Sequence, residues 1–135
     1  MKYSDIYRLY STSQPKDAIH QALREVPVDD SDEQYEDRSP LHLACQYGDA
    51  EGVKILLERD AEPNTKDANG STPIHILGRT SADRADEDKL KEIAVMLMEH
   101  GANIPRSAKN TTALIECVRN RHFKMAEAII NSGAR

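Results

Sequence analysis

The chain has no tryptophan, one phenylalanine and five tyrosines among 135 residues. Its interior must therefore be built from Leu, Ile, Val, Ala and Met, small side chains that suit thin layers of helices which bulky rings would hold apart. Cysteine is confined to Cys45 and Cys117. That excludes a disulfide scaffold, and the two read as reduced, buried thiols. No apolar run approaches the roughly 20 residues of a membrane span, and Met1-Lys2-Tyr3-Ser4-Asp5 lacks the apolar stretch of a signal peptide. The expectation is a soluble intracellular protein, cytoplasmic or nuclear. Bases are outnumbered by acids, 18 to 23, for a net charge of −5. Phosphate neutralisation needs a concentrated basic surface, so no direct nucleic-acid role is expected.

Catalytic and metal chemistry are equally thin. His42 and Cys45 share a predicted helix face at i, i+3, but a zinc site needs three or four converging ligands, and no CxxC or HxxxH spacing occurs. The six glycines are dispersed, so no phosphate-cradling loop is present. His20, His100 and His122 stand alone on helix positions expected to be exposed. The sequence predicts no enzyme, no catalytic residue, no metal and no cofactor.

What the chain does contain is internal repetition. Ser39-Pro40-Leu41-His42-Leu43-Ala44 recurs 33 residues on as Thr72-Pro73-Ile74-His75-Ile76-Leu77, and 40 residues later as Thr112-Ala113-Leu114-Ile115-Glu116-Cys117. A second block, Val53 to Ala61, recurs at Ala94 to Ala102 and Ala126 to Ala134. Ser39, Thr72 and Thr112 sit where a helix wants an N-cap hydroxyl, and Pro40 and Pro73 fill the first helical position, where the missing N–H costs nothing. Gly48 closes the first helix in a left-handed position. A second helix is predicted from about Ala50 to Arg59. After it, Asp60 to Gly70 is rich in turn formers and ends in Asn69-Gly70, a hairpin-type signal.

The two Ser/Thr-Pro-Leu/Ile-His segments, the Leu56-Leu57 block, Gly101-Ala102-Asn103 and the Asp67-to-Gly70 turn resemble ankyrin repeats over roughly Tyr35 to Arg135. The resemblance implies an all-α solenoid of stacked helix-turn-helix pairs with projecting β-turn fingers. It also implies that His42 and His75 make structural hydrogen bonds between neighbouring repeats. Residues 1–34 are expected to form a degenerate N-terminal capping repeat with two helices, one after Ser4 or Asp5 and one after Pro15. Repeats follow at 35–67 and at 68–106, the latter with an inserted acidic loop at about 80–88. Residues 107–135 are read as a C-terminal repeat, cap-like or truncated, with Ala113, Ile115, Glu116 and Arg121 departing from the pattern. Glu62-Pro63-Asn64 resembles sites modified by asparaginyl hydroxylases, although Asn64 also serves as a plain turn former.

In such a stack the motif residues are framework, and the resemblance places partner contacts on finger tips and on the exposed side of each first helix. The candidates are Tyr35, Glu36, Arg38, Gln46, Tyr47, Asn69, Ser71, Arg79, Lys109, Arg119 and Asn120. Tyr and Arg weigh most because they bury large area with few rotors and still hydrogen-bond, and Arg38 and Lys109 are read as rim charges. The expected partner is another protein, with no small-molecule substrate and no membrane, and the expected state is a monomer or a heteromeric complex. A small adaptor or inhibitor fits, an inhibitor of Rel-type transcription factors being one form. The alternative is a recognition domain of a larger multidomain enzyme or channel.

Overall fold

Pro40 follows Ser39, which is extended and whose hydroxyl accepts the His42 amide, and this start yields helix α3 at Pro40–Gln46. The computed structural model of the chain describes residues 2–12, 14–78, 87–102 and 127, and every structural statement concerns these. Ahead of α3 come α1 (Tyr3–Ser11) and α2 (Lys16–Glu25); behind it come α4 (Ala50–Glu58), α5 (Pro73–Gly78) and α6 (Glu87–Glu99). A single 3-10 turn spans Glu33–Tyr35, and no strand occurs among the described residues.

The helices pack in pairs, α1 with α2, α3 with α4 and α5 with α6. First helices stack on one another in the order α1, α3, α5, and second helices in the order α2, α4, α6. Two layers result, with an aliphatic seam between them. Leu23, Leu56 and Leu97 take equivalent places in successive second helices, and all three are fully buried. Each contributes about 1.5–3 kcal/mol through burial. No pair has enough apolar surface to close a core alone, so stability comes from stacking.

Helix ends repeat as faithfully as helix faces. After α3, Gly48 N–H donates to Cys45 O and Asp49 N–H to Ala44 O, with Gly48 at φ 64. After α6, Gly101 N–H donates to Met98 O and Ala102 N–H to Leu97 O, with Gly101 at φ 96. After α4 the same two bonds form, Asp60 to Leu57 O and Ala61 to Leu56 O, but the left-handed residue is Asp60 at φ 65. These are Schellman ends, which favour glycine at that position.

Several expectations shift. α1 begins at Tyr3, earlier than Ser4 or Asp5, because the Asp5 carboxylate accepts the Lys2 amide at 2.9 Å and caps the first turn. Between α2 and the 3-10 turn, Asp30 accepts the Tyr3 amide at 2.7 Å and Asp32 caps the 3-10 turn through the Gln34 amide at 2.9 Å. Glu87 and Asp88 belong to the first turn of α6, where the helix dipole favours acids. Of the insertion placed at about 80–88, residues 87 and 88 are thus helical, and the others lie outside those described. Asn69-Gly70 closes a tight hairpin loop as expected, with Asp67 N–H donating to Ser71 O at 3.0 Å across it. Gly70 N–H donates to Asp67 O at 3.0 Å and only Gly70, at φ 78, is left-handed, a turn with Asp at its first and Gly at its fourth position.

Candidate functional site

The fingers and the first helices form one connected edge. Asp67 organises the second finger: its Oδ1 accepts the Asn69 and Ser71 amides, both at 2.9 Å, and its Oδ2 faces Arg38 Nε at 3.3 Å. Burial alone would push the Asp67 carboxyl up. The Ser71 and Asn69 amides and the Arg38 guanidinium outweigh that and hold it below the usual carboxylate range. The first finger is tied to the second through main chain and side chain. Ala68 N–H donates to Glu36 O at 2.7 Å and Asn69 Nδ2 to Glu36 Oε2 at 3.2 Å. Glu36 and Asp37 hold the left-handed conformations of the first finger, at φ 63 and 54.

The motif histidines lie under the fingers. His42 Nδ1 accepts the Ser39 amide at 3.1 Å while Nε2 reaches Ser71 O at 2.7 Å. This bond joins α3 to the finger of the next repeat, as the resemblance implied. His75 repeats the near half of the arrangement, its Nδ1 accepting the Thr72 amide at 3.3 Å. Burial depresses the His42 basicity below its ordinary value of 6.5, despite the opposing bond to Ser71. Cys45 is fully buried, and burial pushes its thiol up, away from reactivity.

All five tyrosines gather at one end of this edge. Tyr3, Tyr7 and Tyr10 line up along α1, Tyr7 and Tyr35 have ring centres 4.4 Å apart, and Tyr10 stacks on Tyr47 at 4.9 Å with 15° between planes. Of the candidate contacts, Tyr35, Gln46 and Tyr47 are half-buried here, and Glu36 and Asn69 are exposed. Arg38, read as a rim charge, bridges Glu36 at 3.0 Å, Asp67 at 3.3 Å and Gln46 at 2.8 Å, with its side chain 21% exposed. Ser71 is 5% exposed, with its amide and carbonyl both used by the framework. Arg79, Lys109, Arg119 and Asn120, with Cys117 and His122, lie outside the described residues. Asn64 donates from Nδ2 to Gly101 O at 3.0 Å, tying the turn after α4 to the end of α6.

Two features escaped the sequence. The tyrosines of α1 were one; a spacing of i, i+4, i+7 at Tyr3, Tyr7 and Tyr10 on one helix face was the available signal. The other is His20, which is not isolated. Its Nε2 lies 3.0 Å from both oxygens of Asp49, whose Oδ2 also accepts the Tyr10 hydroxyl at 2.7 Å. Asp49 further accepts the Gly52 amide at 3.2 Å and so caps α4. Burial opposes ionisation of Asp49, but the bonds from Tyr10, His20 and Gly52 outweigh it and hold its carboxyl below the usual range. With every oxygen engaged, the trio clamps α1, α2 and α4 together. Among the described residues no three His, Cys, Asp or Glu side chains converge as metal ligands, and no described helix is long and apolar enough to cross a membrane.

Comparison with known proteins agrees with this geometry. A family model described as ankyrin repeats in many copies matches residues 22–77. The chain is 39% identical over 62 residues, 46% of its length, to a Caenorhabditis elegans homologue of transient receptor potential cation channel subfamily A member 1, of which it spans 5%. It is 30% identical over 100 residues, 72% of its length, to the human channel of that name, of which it spans 8%. Over 118 residues, 86% of its length, it is 29% identical to the ankyrin repeat protein nuc-2 of Neurospora crassa, of which it spans 10%.

Proposed function

This chain belongs to the ankyrin-repeat family, and from that premise we propose that it is a small adaptor or inhibitor binding another protein through its finger tips and first-helix edge. Tyr35, Glu36, Gln46, Tyr47 and Asn69 are the proposed contacts among the described residues, joined by Tyr7. Arg38 and Ser71 hold the fingers in register instead. In the same reading residues 1–34 act as the N-terminal cap, 35–67 and 68–106 as inner repeats and 107–135 as the closing repeat.

The observation that carries this reading is the tyrosine row. Tyr7 and Tyr35 keep part of their rings open to solvent at the edge where the fingers project. Rigid rings with polar tips are the groups that protein interfaces use as anchors. The test is affinity capture from the source cell with the wild-type chain and with Tyr7→Ala plus Tyr47→Ala, followed by direct titration of the captured partner. A loss of tenfold or more in affinity, with unchanged helical content, is expected. Equal affinity of both proteins would overturn the assignment of this edge.

A second reading rests on the relatives' lengths. The chain spans a tenth or less of each relative named above, and two of these are channels, so it also fits a recognition segment of a longer protein. Immunoblotting of source-cell extract separates the two. A species near 15.1 kDa supports the small adaptor, and a far larger one supports the segment.

A further inference from the structure

Between the start of α1 and the first finger lies a cavity of about 220 Å³. Tyr3, Tyr7 and Tyr35 form its aromatic side, and Glu36, Arg38 and Gln46 its polar side. Sites for small molecules usually enclose about 300–1,000 Å³, so this volume suits one long side chain. Tyr3 is 1% exposed, its amide donates to Asp30, and its ring packs 5.8 Å from that of Tyr35. Among the described residues nothing pairs with the Tyr3 hydroxyl, yet no side-chain polar atom among them is both sealed from solvent and unpaired. The hydroxyl therefore opens into the cavity it lines, with its hydrogen-bonding capacity unused.

The surroundings select the sign of a guest. Residues 29–37 carry Asp29, Asp30, Asp32, Glu33, Glu36 and Asp37 and no base. The one cation in the wall, Arg38, is already countered by Glu36 and Asp67. We propose that this cavity receives a Lys or Arg side chain from a basic, extended segment of the partner protein. The stem lies on the Tyr7 and Tyr35 rings, and the cationic head meets the Tyr3 hydroxyl and the Glu36 carboxylate. Ring faces attract such cations, and the acidic stretch 29–37 steers a basic segment in while repelling an acidic one. The proposal rests on the protein-binding reading above and adds the chemistry of the bound segment.

Tyrosine-selective 13C labelling of the full chain gives five ring signals, three from the cavity and two, Tyr10 and Tyr47, outside its lining. The probes are N-acetyl-arginine methylamide and N-acetyl-lysine methylamide, with Nε-acetylated lysine and N-acetyl-glutamate methylamides as controls. Saturable shifts of Tyr3, Tyr7 and Tyr35 with the two cations alone, weakened several-fold by Glu36→Gln and by Tyr3→Phe, are expected. No saturable shift of these rings, or equal shifts with neutral or acidic probes, overturns the proposal. The captured partner supplies a separate arm. If Tyr3→Phe and Glu36→Gln bind it as tightly as wild type while Tyr47→Ala plus Asn69→Ala, both outside the cavity lining, does not, the cavity is excluded and the interaction module stands. If both pairs weaken binding by about fivefold or more, the cavity is part of the interface.

Discussion

His42 Nε2 lies 2.7 Å from the carbonyl oxygen of Ser71, 29 residues away and in the next repeat. A carbonyl can only accept, so Nε2 carries the proton; the Ser39 amide can only donate, so Nδ1 at 3.1 Å is bare. One neutral tautomer thus serves both the start of its own helix and the finger beyond it. A second proton on Nδ1 would face the Ser39 N–H and break the first bond.

That geometry sets a pH dependence. The His42 value in the folded chain lies below its ordinary 6.5, so above 6.5 the ring is neutral in folded and unfolded chains alike. As pH falls through 6.5 the unfolded chain takes a proton that the folded chain refuses, and stability drops until the folded value is reached. Urea unfolding at pH 7.5 and 5.5 should show a lower midpoint at 5.5. The drop should shrink in His42→Gln, which should itself cost about 1–3 kcal/mol at pH 7.5 by leaving the Ser71 carbonyl short of a partner. A His42→Gln chain with an unaltered pH response would refute this account.

Gly52 sits inside α4, where alanine ordinarily favours a helix by about 1 kcal/mol. Here a Cβ would stand 2.6 Å from Asp49 Oδ2 and 2.9 Å from the Tyr10 hydroxyl. Both atoms are buried and bonded to each other, so neither yields cheaply. Gly52→Ala should therefore lower stability by about 1–3 kcal/mol. The signature is coupling: in an Asp49→Ala background the same change should cost little, because the obstructing carboxylate is gone. Additive losses in chemical denaturation would mean the clash is relieved some other way.

Asp60 is the reverse case. It holds φ 65 at a Schellman end where Gly101 and Gly48 serve the other helices, and a side chain there carries strain that glycine does not. Its side chain is exposed, so little packing is lost on removal. Asp60→Gly should raise stability by about 0.5–1 kcal/mol, or roughly 2–4 °C in Tm. Thermal melts of the two chains decide it, and a lower Tm would show that the Asp60 side chain contributes more than its strain costs.

The difference between Asp60 and Gly101 could be read from the sequence, because the repeat aligns the two positions. The same holds for Ser39, Pro40 and Gly48, whose roles are local: a hydroxyl, a fixed φ and a missing Cβ act within a few residues. The His42 bond needed the family resemblance, since nothing in its own segment points to Ser71. The tyrosine cluster was legible only in the spacing of Tyr3, Tyr7 and Tyr10 along one helix face, and the Asp49 clamp not at all. Tyr10 and His20 lie 39 and 29 residues from Asp49, in the part of the chain without the motif, and only the stacking of α1 and α2 on α3 and α4 brings them together. The pairing of Arg38 was hidden for a related reason, because the buried carboxylate it meets is 29 residues on.

Arg59 carries the last test, on how the N-terminal pair is held. Its Nη1 donates to Leu23 O at 2.7 Å and Val26 O at 2.6 Å, two carbonyls at the end of α2 that its own helix leaves open. Arg59→Leu keeps an apolar stem and removes the donor, so both carbonyls lose a charged partner, at a cost of about 2–3 kcal/mol. In a stack, each layer is held only by its neighbours, and the loss should fall first on α1 and α2. Hydrogen exchange should then rise across residues 16–25 while residues 50–58 keep their protection. A uniform rise through α4 and α6 would show instead that the described helices unfold as one unit and that Arg59 is not the tether of the first pair.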